Sequence, residues 1–301
     1  MMKNILIVGT GALGTLFAAR LAAAGTNVTL LGTWKNAIEA FNREGARLLQ
    51  VDGSSAQFPV RATDDPSTCQ GADLALILVK SWQTERAARQ LEKCLPDHGF
   101  AVTLQNGLGN REILSARLGA ERVGLGIATI GATLLGPGLA RLGGEGRLSI
   151  EAHPRSRELE TLLRRAGFQV EIVADAKTLV WGKLVVNSAI NPLTALLRVP
   201  NGALLERPGA RRLMVALARE TASVATALGV PLPFADPVST AEEVARQTAA
   251  NHSSMLQDVE RGAPTEIDAI CGAVVQAGNE CGVPTQANWM MRQLVSALCA
   301  G

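Results

Sequence analysis

The sequence has few aromatic residues and no excess of charge of either sign. Its 301 residues include no tyrosine, and aromatic residues make up only 3%. Proteins that stack the bases of single-stranded nucleic acid need such side chains, so this class is disfavoured. The 29 basic and 27 acidic residues give a net charge of +2 without blocks of like charge. This balance argues against binding to nucleic acid or to an anionic membrane surface.

Long apolar runs and paired cysteines are also lacking. Arg20 interrupts the apolar run at 12–24 and Pro192 interrupts the run at 184–197, so neither predicts a membrane span. The apolar segment 5–8 is too short for a signal peptide. The five cysteines form no C-x-x-C pair and have no histidines at metal-ligand spacing, which predicts reduced, buried thiols and no metal site. Together these features predict a soluble, cytoplasmic protein.

Glycine is abundant, with 30 residues, and it punctuates an alternation of β-rich and helical segments up to about residue 175. The predicted strands are 4–8, 27–31, 74–79, 100–104 and 122–130, and the clearest helices are 12–24 and 83–93. Glycines between 131 and 146 indicate hairpin strands. The uninterrupted apolar run at 74–79 is typical of a strand buried on both faces. The alternation predicts right-handed crossovers and a doubly wound parallel sheet.

The pattern changes after about residue 175, where only helices are predicted. They span 177–197, 210–228, 240–260, 265–281 and 286–298, with glycine and proline between them. The predicted fold class is therefore α/β, a doubly wound parallel sheet domain (1–174) followed by an all-helical domain (175–301).

The strongest local motif is G-x-G-x-x-G, formed by Gly9, Gly11 and Gly14 between a predicted strand and a predicted helix. Glycine permits the tight turn, lets a pyrophosphate approach the backbone, and lets the helix pack on the strand. The motif is the fingerprint of a dinucleotide-binding Rossmann domain, although a glycine turn without a ligand is the alternative. The predicted cofactor-binding residues here are Gly9, Thr10, Gly11, Ala12, Leu13 and Gly14.

The sequence lacks the acidic residue that NAD-binding proteins place about 20 residues after this motif. That residue would bind the ribose 2′-hydroxyl of NAD. The first acid in the chain is Glu39, and the second predicted strand is followed by Thr33 and Lys35. An acidic side chain at this place would repel a 2′-phosphate, whereas Thr33 or Lys35 would tolerate one. NADP (as NADPH) is therefore favoured over NAD. The alternative is that Lys35 is a solvated loop lysine.

Two polar residues follow later predicted strands. Lys80 follows 74–79, and Asn106 follows 100–104, at the edge of the sheet where α/β proteins bind ligands. Lys80 could attract a cofactor phosphate or an anionic substrate, and Asn106 could bind the nicotinamide side or the substrate. A simple Asn-Gly turn is the alternative at Asn106.

A polar stripe lies on the apolar helix predicted at 177–197. Lys183 and Asn187 are four residues apart and face the same way, and Asn191 is one step further, before Pro192, where a kink or helix end is expected. Burial would lower the pKa of the lysine and make it a competent proton donor. A lysine that reaches solvent along the helix is the alternative.

Two further groups of residues lie near the carboxyl terminus. The segment 251–258 brings Asn251, Ser254 and Asp258 within about one helical turn of each other. Glu266 is predicted in the first turn of a helix, where stabilisation by the helix dipole is an alternative to a functional role.

With these residues assembled, the chain resembles the ketopantoate reductase (2-dehydropantoate 2-reductase) family along nearly its whole length. The matching segments are GTGALG, VKSWQT around Lys80, LQNGLGN around Asn106, WGKLVVNSAINPLTALLRVPNG at 181–202, NHSSMLQD and TEID. The last three are far more specific to the family than the glycine loop.

The resemblance implies a Rossmann domain and a helical domain with the site in the cleft between them. It implies that Lys183 is the general acid and that Glu266 binds the substrate hydroxyl and orients Lys183. The substrate-binding residues that it implies are Asn106, Lys183, Asn187, Asn191, Asn201, Asn251, Ser254 and Glu266. Many members carry arginine where this chain has Thr33, which leaves the choice between NADPH and NADH open.

The expected function is NADPH-dependent reduction of 2-dehydropantoate to pantoate, a step of pantothenate and coenzyme A biosynthesis. One alternative is a reductase of another branched 2-keto acid, and another is a non-catalytic protein that senses NADP(H). The expected partner is the small-molecule 2-keto acid, without nucleic acid or membrane, and the chain is expected to form a homodimer.

Overall fold

The computed structural model describes residues 4–299, which divide into two units. Residues 4–105 and 110–176 form the first unit, and residues 106–109 and 177–299 form the second. The predicted first domain runs through 106–109, but this segment packs with the helices. One reason is a hydrogen bond from the Leu108 N–H to the Ala269 carbonyl, at 3.0 Å.

The first unit contains an eight-stranded sheet, which confirms the predicted α/β class. Its strands, in spatial order, are β12 (Gln169–Val173), β11 (Arg147–Glu151), β8 (Val123–Ala128), β7 (Phe100–Thr103), β6 (Leu74–Ile77), β1 (Asn4–Val8), β2 (Asn27–Leu31) and β5 (Arg61–Thr63). All neighbours are parallel except β8 and β11, which are antiparallel. All four residues of β6 are buried, as its apolar run predicts.

Alternate residues of β1 enter two different hydrophobic cores, so both faces of the sheet are buried, as a doubly wound fold requires. Ile5 and Ile7 belong to one core, while Leu6 and Val8 belong to the other. The helices of this unit are α1 (Ala12–Ala23), α2 (Lys35–Glu44), α3 (Thr84–Cys94), α4 (Asn110–Leu118) and α5 (Ser156–Arg165).

A second, four-stranded sheet lies in the same unit. Its order is β4 (Ser55–Phe58), β3 (Ala46–Leu49), β10 (Leu139–Gly144) and β9 (Gly131–Gly136). The antiparallel pair β9 and β10 confirms the hairpin predicted from the glycine-rich segment.

Within its described residues, all the regular elements of the second unit are helices. It comprises α6 (Lys177–Leu197), α7 (Ala203–Glu206), α8 (Pro208–Ala227), α9 (Pro237–Gln247), α10 (Ser254–Glu260), a π-helical turn (Asp268–Gly272), α11 (Ala273–Cys281) and α12 (Gln286–Cys299). Their buried faces share one core, in which α6 contributes Leu184, Val185 and Ala189. In the described part of the chain, no helix is both long enough and apolar enough to span a membrane.

One helix prediction is wrong in this unit. The single helix predicted over 240–260 is broken between α9 and α10, because backbone N–H groups of the segment after α6 bond to carbonyls in the break. Asn201 donates to Asn251 at 3.0 Å and Gly202 donates to Ala249 at 3.1 Å. The helix predicted over 177–197 has these bounds, so it continues past Pro192 and does not end there.

The cysteine prediction is also partly wrong. Cys69, Cys94 and Cys271 are buried free thiols, but Cys281 is only partly buried and Cys299 is exposed. Cys69 and Cys94, which are distant in sequence, lie in one core.

Candidate functional site

The glycine loop between β1 and α1 packs tightly against protein at two of its glycines and is open at the third. Gly9 has φ +134°, and a side chain there would lie 2.8 Å from the backbone of Leu78. A Cβ at Gly14 would lie 2.9 Å from the carbonyl carbon of Gly9. At Gly11, by contrast, no described atom lies within 4 Å of the Cβ position. The loop therefore leaves space for a ligand only at Gly11.

The start of α1 is suited to an anion. Among the described residues no side chain caps the helix at Gly11, and the first turn carries no acidic residue. The unsatisfied N–H groups and the positive end of the helix dipole therefore remain available for phosphate. Thr10 is buried beneath Gly32, where a Cβ would lie 2.6 Å from the Thr10 methyl group. Ala12 and Leu13, which are partly buried, complete the loop.

The region after β2 holds an ion pair that no local sequence pattern indicates. Lys35, at the start of α2, forms an ion pair with Asp64, which follows β5. The hydrogen bond from Lys35 lowers the pKa of the Asp64 carboxyl. Thr33 is exposed nearby in the chain. Sequence reasoning misses Asp64 because only the pairing of β2 with β5 brings it to Lys35.

At the ends of β6 and β7, a glutamine organises the backbone. Gln105 donates to the Val79 carbonyl at 3.0 Å and to the Thr84 hydroxyl at 2.8 Å. Lys80 precedes a short 3-10 turn (Ser81–Gln83) and is partly buried. Gln105 is a residue that the sequence reasoning misses, although its place directly before Asn106 is a signal that could have found it.

In the second unit, Asn106 and Glu266 come together although 160 residues separate them. The Asn106 amide nitrogen donates to a carboxylate oxygen of Glu266 at 3.1 Å. Glu266 is only 5% exposed. It lies directly before the helix that begins at residue 267, so the prediction that it lies in the first turn is wrong by about one residue. A buried carboxylate needs such donors because burial without hydrogen bonds is costly.

Lys183 lies on α6 within the electrostatic reach of the same carboxylate. Burial lowers the pKa of Lys183 from 10.5 to about 8, and the negative charge of Glu266 opposes this shift. A lysine in this range is a proton donor at neutral pH that loses its proton in mild base. The structure thus brings together Lys183, Glu266 and Asn106.

The other asparagines on α6 continue the stripe of Lys183. Because the helix runs without a break through Pro192, the four-residue steps from Lys183 to Asn187 and Asn191 keep all three on one face. Asn187 is partly exposed, and Asn191 is 7% exposed.

Asn201, Asn251 and Ser254 lie around the break between α9 and α10. The Asn201 amide donates to the Thr248 hydroxyl at 2.8 Å, so this side chain holds the break in place. Asn251 is exposed, and Ser254 is the partly exposed first residue of α10.

The neighbouring Ser253 is a structural residue that the sequence reasoning misses. Its hydroxyl caps α10 by accepting from the Leu256 N–H at 3.1 Å, and it also accepts from the Thr194 hydroxyl at 2.7 Å. A serine directly before an apolar turn is a typical capping signal that could have found it.

Comparison with known proteins matches most of the chain to one family. The model described as ketopantoate reductase PanE/ApbA matches residues 5–155, and the model of its C-terminal part matches residues 175–298. A 2-dehydropantoate 2-reductase from Halobacterium salinarum is 36% identical over 283 residues, which is 92% of each chain.

Solved structures agree with this match. The PanE/ApbA family ketopantoate reductase of Ralstonia eutropha superimposes with a TM-score of 0.91 at 33% identity, covering 98% of both chains. The ternary structure of D-mandelate dehydrogenase with NADH and anilino(oxo)acetate has a TM-score of 0.90 at 24% identity, which shows the fold alone. The resemblance found in the sequence is confirmed, and the chain belongs to the ketopantoate reductase PanE/ApbA family.

Proposed function

We propose that the protein reduces 2-dehydropantoate to pantoate with NADPH, as a step of pantothenate and coenzyme A biosynthesis. The observation that carries this proposal is the cluster of Lys183, Glu266 and Asn106, in which burial lowers the pKa of the lysine to about 8. Ketone reduction needs a proton for the carbonyl oxygen, and a lysine with this pKa can donate one at neutral pH.

Each residue of the cluster has its own part in the reaction. Lys183 donates its proton to the ketone oxygen of the substrate. Glu266 accepts a hydrogen bond from the substrate hydroxyl, and its charge keeps Lys183 protonated to a higher pH than burial alone would allow. When bound, the nicotinamide supplies the hydride that reduces C2.

The remaining polar residues bind the 2-keto acid. Asn187 and Asn191 continue the stripe of Lys183 along α6, and Asn251 and Ser254 lie where α10 begins. Their uncharged amide and hydroxyl groups suit a substrate with several oxygen atoms. Among them, Ser254 would lie near the carboxylate group of the substrate. Asn106 contacts the substrate beside Glu266, and Asn201 supports Asn251 through its backbone N–H.

The glycine loop fits the pyrophosphate of a dinucleotide, because Gly11 is open and the start of α1 is uncapped within the described chain. Thr33 and Lys35 would bind the 2′-phosphate of NADPH, and Lys80 would bind at the junction of cofactor and substrate. Asp64 shares the charge of Lys35, so its carboxylate weakens the attraction for that phosphate.

The preference for NADPH is tested by replacing the members of this ion pair. Lys35→Met is expected to raise KM for NADPH severalfold and leave KM for NADH unchanged. Asp64→Asn is expected to lower KM for NADPH. Equal changes in KM for NADPH and for NADH would show that the ion pair does not contact the 2′-phosphate of the cofactor.

The substrate is tested with a panel of 2-keto acids in a steady-state assay of NADPH oxidation. The highest kcat/KM is expected for 2-dehydropantoate, with lower values for 2-keto acids that lack its branched hydroxylated tail. A higher value for another branched 2-keto acid would support the alternative substrate. Binding of NADPH with no turnover of any keto acid would support the sensing role.

Cytoplasmic location and a homodimer belong to the same proposal. The first follows from the biosynthetic reaction, since its cofactor and substrate are metabolites of the cytoplasm. Analytical ultracentrifugation measures the second, and a single species of monomer mass would contradict it.

A further inference from the structure

The loop that carries Asn106 is fixed to the segment that follows Glu266. Gly107 has φ +82°, a conformation that residues with side chains rarely adopt. A Cβ at this position would lie 2.6 Å from the carbonyl carbon of Ala269 and 2.7 Å from its Cβ. The next residue, Leu108, donates its N–H to the Ala269 carbonyl at 3.0 Å. Only glycine at 107 permits this approach.

Ala269 belongs to the π-helical turn Asp268–Gly272, which begins two residues after Glu266. Such turns widen the helix and change the direction of its carbonyl groups, and they are often found at functional sites. The Glu266 carbonyl accepts from the Ile270 N–H at 3.0 Å, which joins the glutamate to the same turn. The turn thus contacts the loop at Ala269 and holds the backbone of Glu266 at its start.

We propose that the contact between Gly107 and Ala269 positions Asn106 against Glu266, so that Gly107 and Ala269 are positioning residues for the reaction. The inference rests on the proposed function. The Asn106 amide lies one residue before Gly107, and its partner carboxylate lies three residues before Ala269. A shift of about 1 Å at the contact therefore reaches the hydrogen bond directly, and displacements of this size reduce turnover strongly.

Gly109 provides a matched control within the same loop. It has φ +87°, close to that of Gly107, but no described atom lies within 4 Å of its Cβ position. Alanine at either position carries a similar backbone strain. Only alanine at 107 also forces the loop away from Ala269.

The experiment compares Gly107→Ala and Gly109→Ala alone and combined with Asn106→Ala. We expect Gly107→Ala to lower kcat about tenfold or more, while Gly109→Ala stays within about twofold of wild type. With Asn106 already replaced, Gly107→Ala should have less than about a twofold further effect, because it acts through Asn106. An equal loss with and without Asn106, or the same loss in both glycine variants, would overturn the proposal.

A readout without turnover separates this inference from the proposed function. In the enzyme without substrate, NMR should show the Asn106 side-chain amide shifted and exchanging faster in Gly107→Ala, but unchanged in Gly109→Ala. An unchanged Asn106 signal in Gly107→Ala would overturn the positioning role even if the enzyme is active. Failure of the proposed function appears instead as a wild-type enzyme that turns over no keto acid.

If Gly107→Ala does not fold, Ala269→Gly takes its place in both measurements. It keeps the carbonyl that Leu108 contacts but loosens the turn. A loss of kcat that disappears when Asn106 is absent supports the proposal, and a loss independent of Asn106 overturns it.

Discussion

At the scale of single residues, the chain keeps a lysine in an environment that disfavours its charge. Lys183 is itself partly buried, on the helix α6. Burial of the ammonium group lowers its pKa, and Glu266 recovers only part of the shift. The same feature that makes Lys183 a proton donor near neutral pH therefore reduces the stability of the folded chain.

The first prediction concerns the pH dependence of turnover. Because Lys183 must be protonated to donate, kcat/KM is expected to be constant below its pKa of about 8 and to fall above it. In Glu266→Gln the negative charge that raises this pKa is gone, so the decline should begin at lower pH. The measurement is kcat/KM across the pH range for both enzymes. A decline that begins at the same pH in both would contradict the role of Glu266.

The second prediction concerns stability. In the folded chain Lys183 is protonated only below its pKa of about 8, whereas in the unfolded chain it stays protonated up to about pH 10.5. The free energy of unfolding of wild type should therefore rise as pH increases from about 8 to 10.5. Lys183→Met removes the buried charge and should be more stable than wild type at pH 7, by at most about 3 kcal/mol.

Urea unfolding at pH 7 and at pH 10 measures this difference. The advantage of the Lys183→Met variant should shrink at the higher pH, because wild-type Lys183 is then neutral when folded. Arg198→Met, at the end of α6, is a control that leaves the buried lysine in place. A variant with no advantage at pH 7 would show that Lys183 is well solvated.

At the scale of structural elements, the glycine loop and the start of α10 each combine a structural residue with a binding residue. Gly14 packs against Gly9, while Gly11 faces open space. Ser253 caps α10, while Ser254, the next residue, is partly exposed. In both elements, substitution of nearby residues of the same type should separate stability from binding.

The third prediction compares Gly14→Ala with Gly11→Ala. The new methyl group at 14 would overlap the Gly9 backbone, so the free energy of unfolding should fall by about 1–3 kcal/mol. At 11 it meets no described protein atom, so stability should stay within about 0.5 kcal/mol while Kd for NADPH rises. Thermal unfolding and titration with NADPH measure the two effects. Unchanged NADPH affinity in Gly11→Ala would show that the glycine loop does not bind the cofactor.

The fourth prediction compares Ser253→Ala with Ser254→Ala. Loss of the Ser253 cap and of its bond to Thr194 should lower the free energy of unfolding by about 1–2 kcal/mol. Ser254→Ala should leave stability nearly unchanged and raise KM for the 2-keto acid. If Ser253→Ala instead raised KM without loss of stability, Ser253 would be the substrate-binding residue and not the cap of α10.

At the scale of the whole molecule, the sequence predicts elements with strong periodicity and misses those that depend on pairing. The strands β1 and β2 have their predicted bounds, and so does α6. The sequence does not predict the strands β3, β4, β5 and β12, because these short segments form strands only beside their partners. It misses the break between α9 and α10 for the same reason, since bonds from the segment after α6 replace helical ones.

The candidate site shows the same division. Sequence motifs and the family resemblance are enough to point to Lys183, Glu266 and Asn106. They do not point to the ion pair of Lys35 with Asp64, or to the approach of Gly107 to Ala269. Both contacts join distant parts of the chain, and neither leaves a local pattern that sequence alone could show.

The most direct test of the central claim is the stoichiometry of the reaction in wild type and in Lys183→Ala. With 2-dehydropantoate, wild type is expected to form one pantoate for each NADPH oxidised, followed together by NMR and absorbance. Lys183→Ala is expected to bind NADPH normally but to lose turnover by about a hundredfold or more. Absence of pantoate with wild type, or near-normal turnover by Lys183→Ala, would contradict the account.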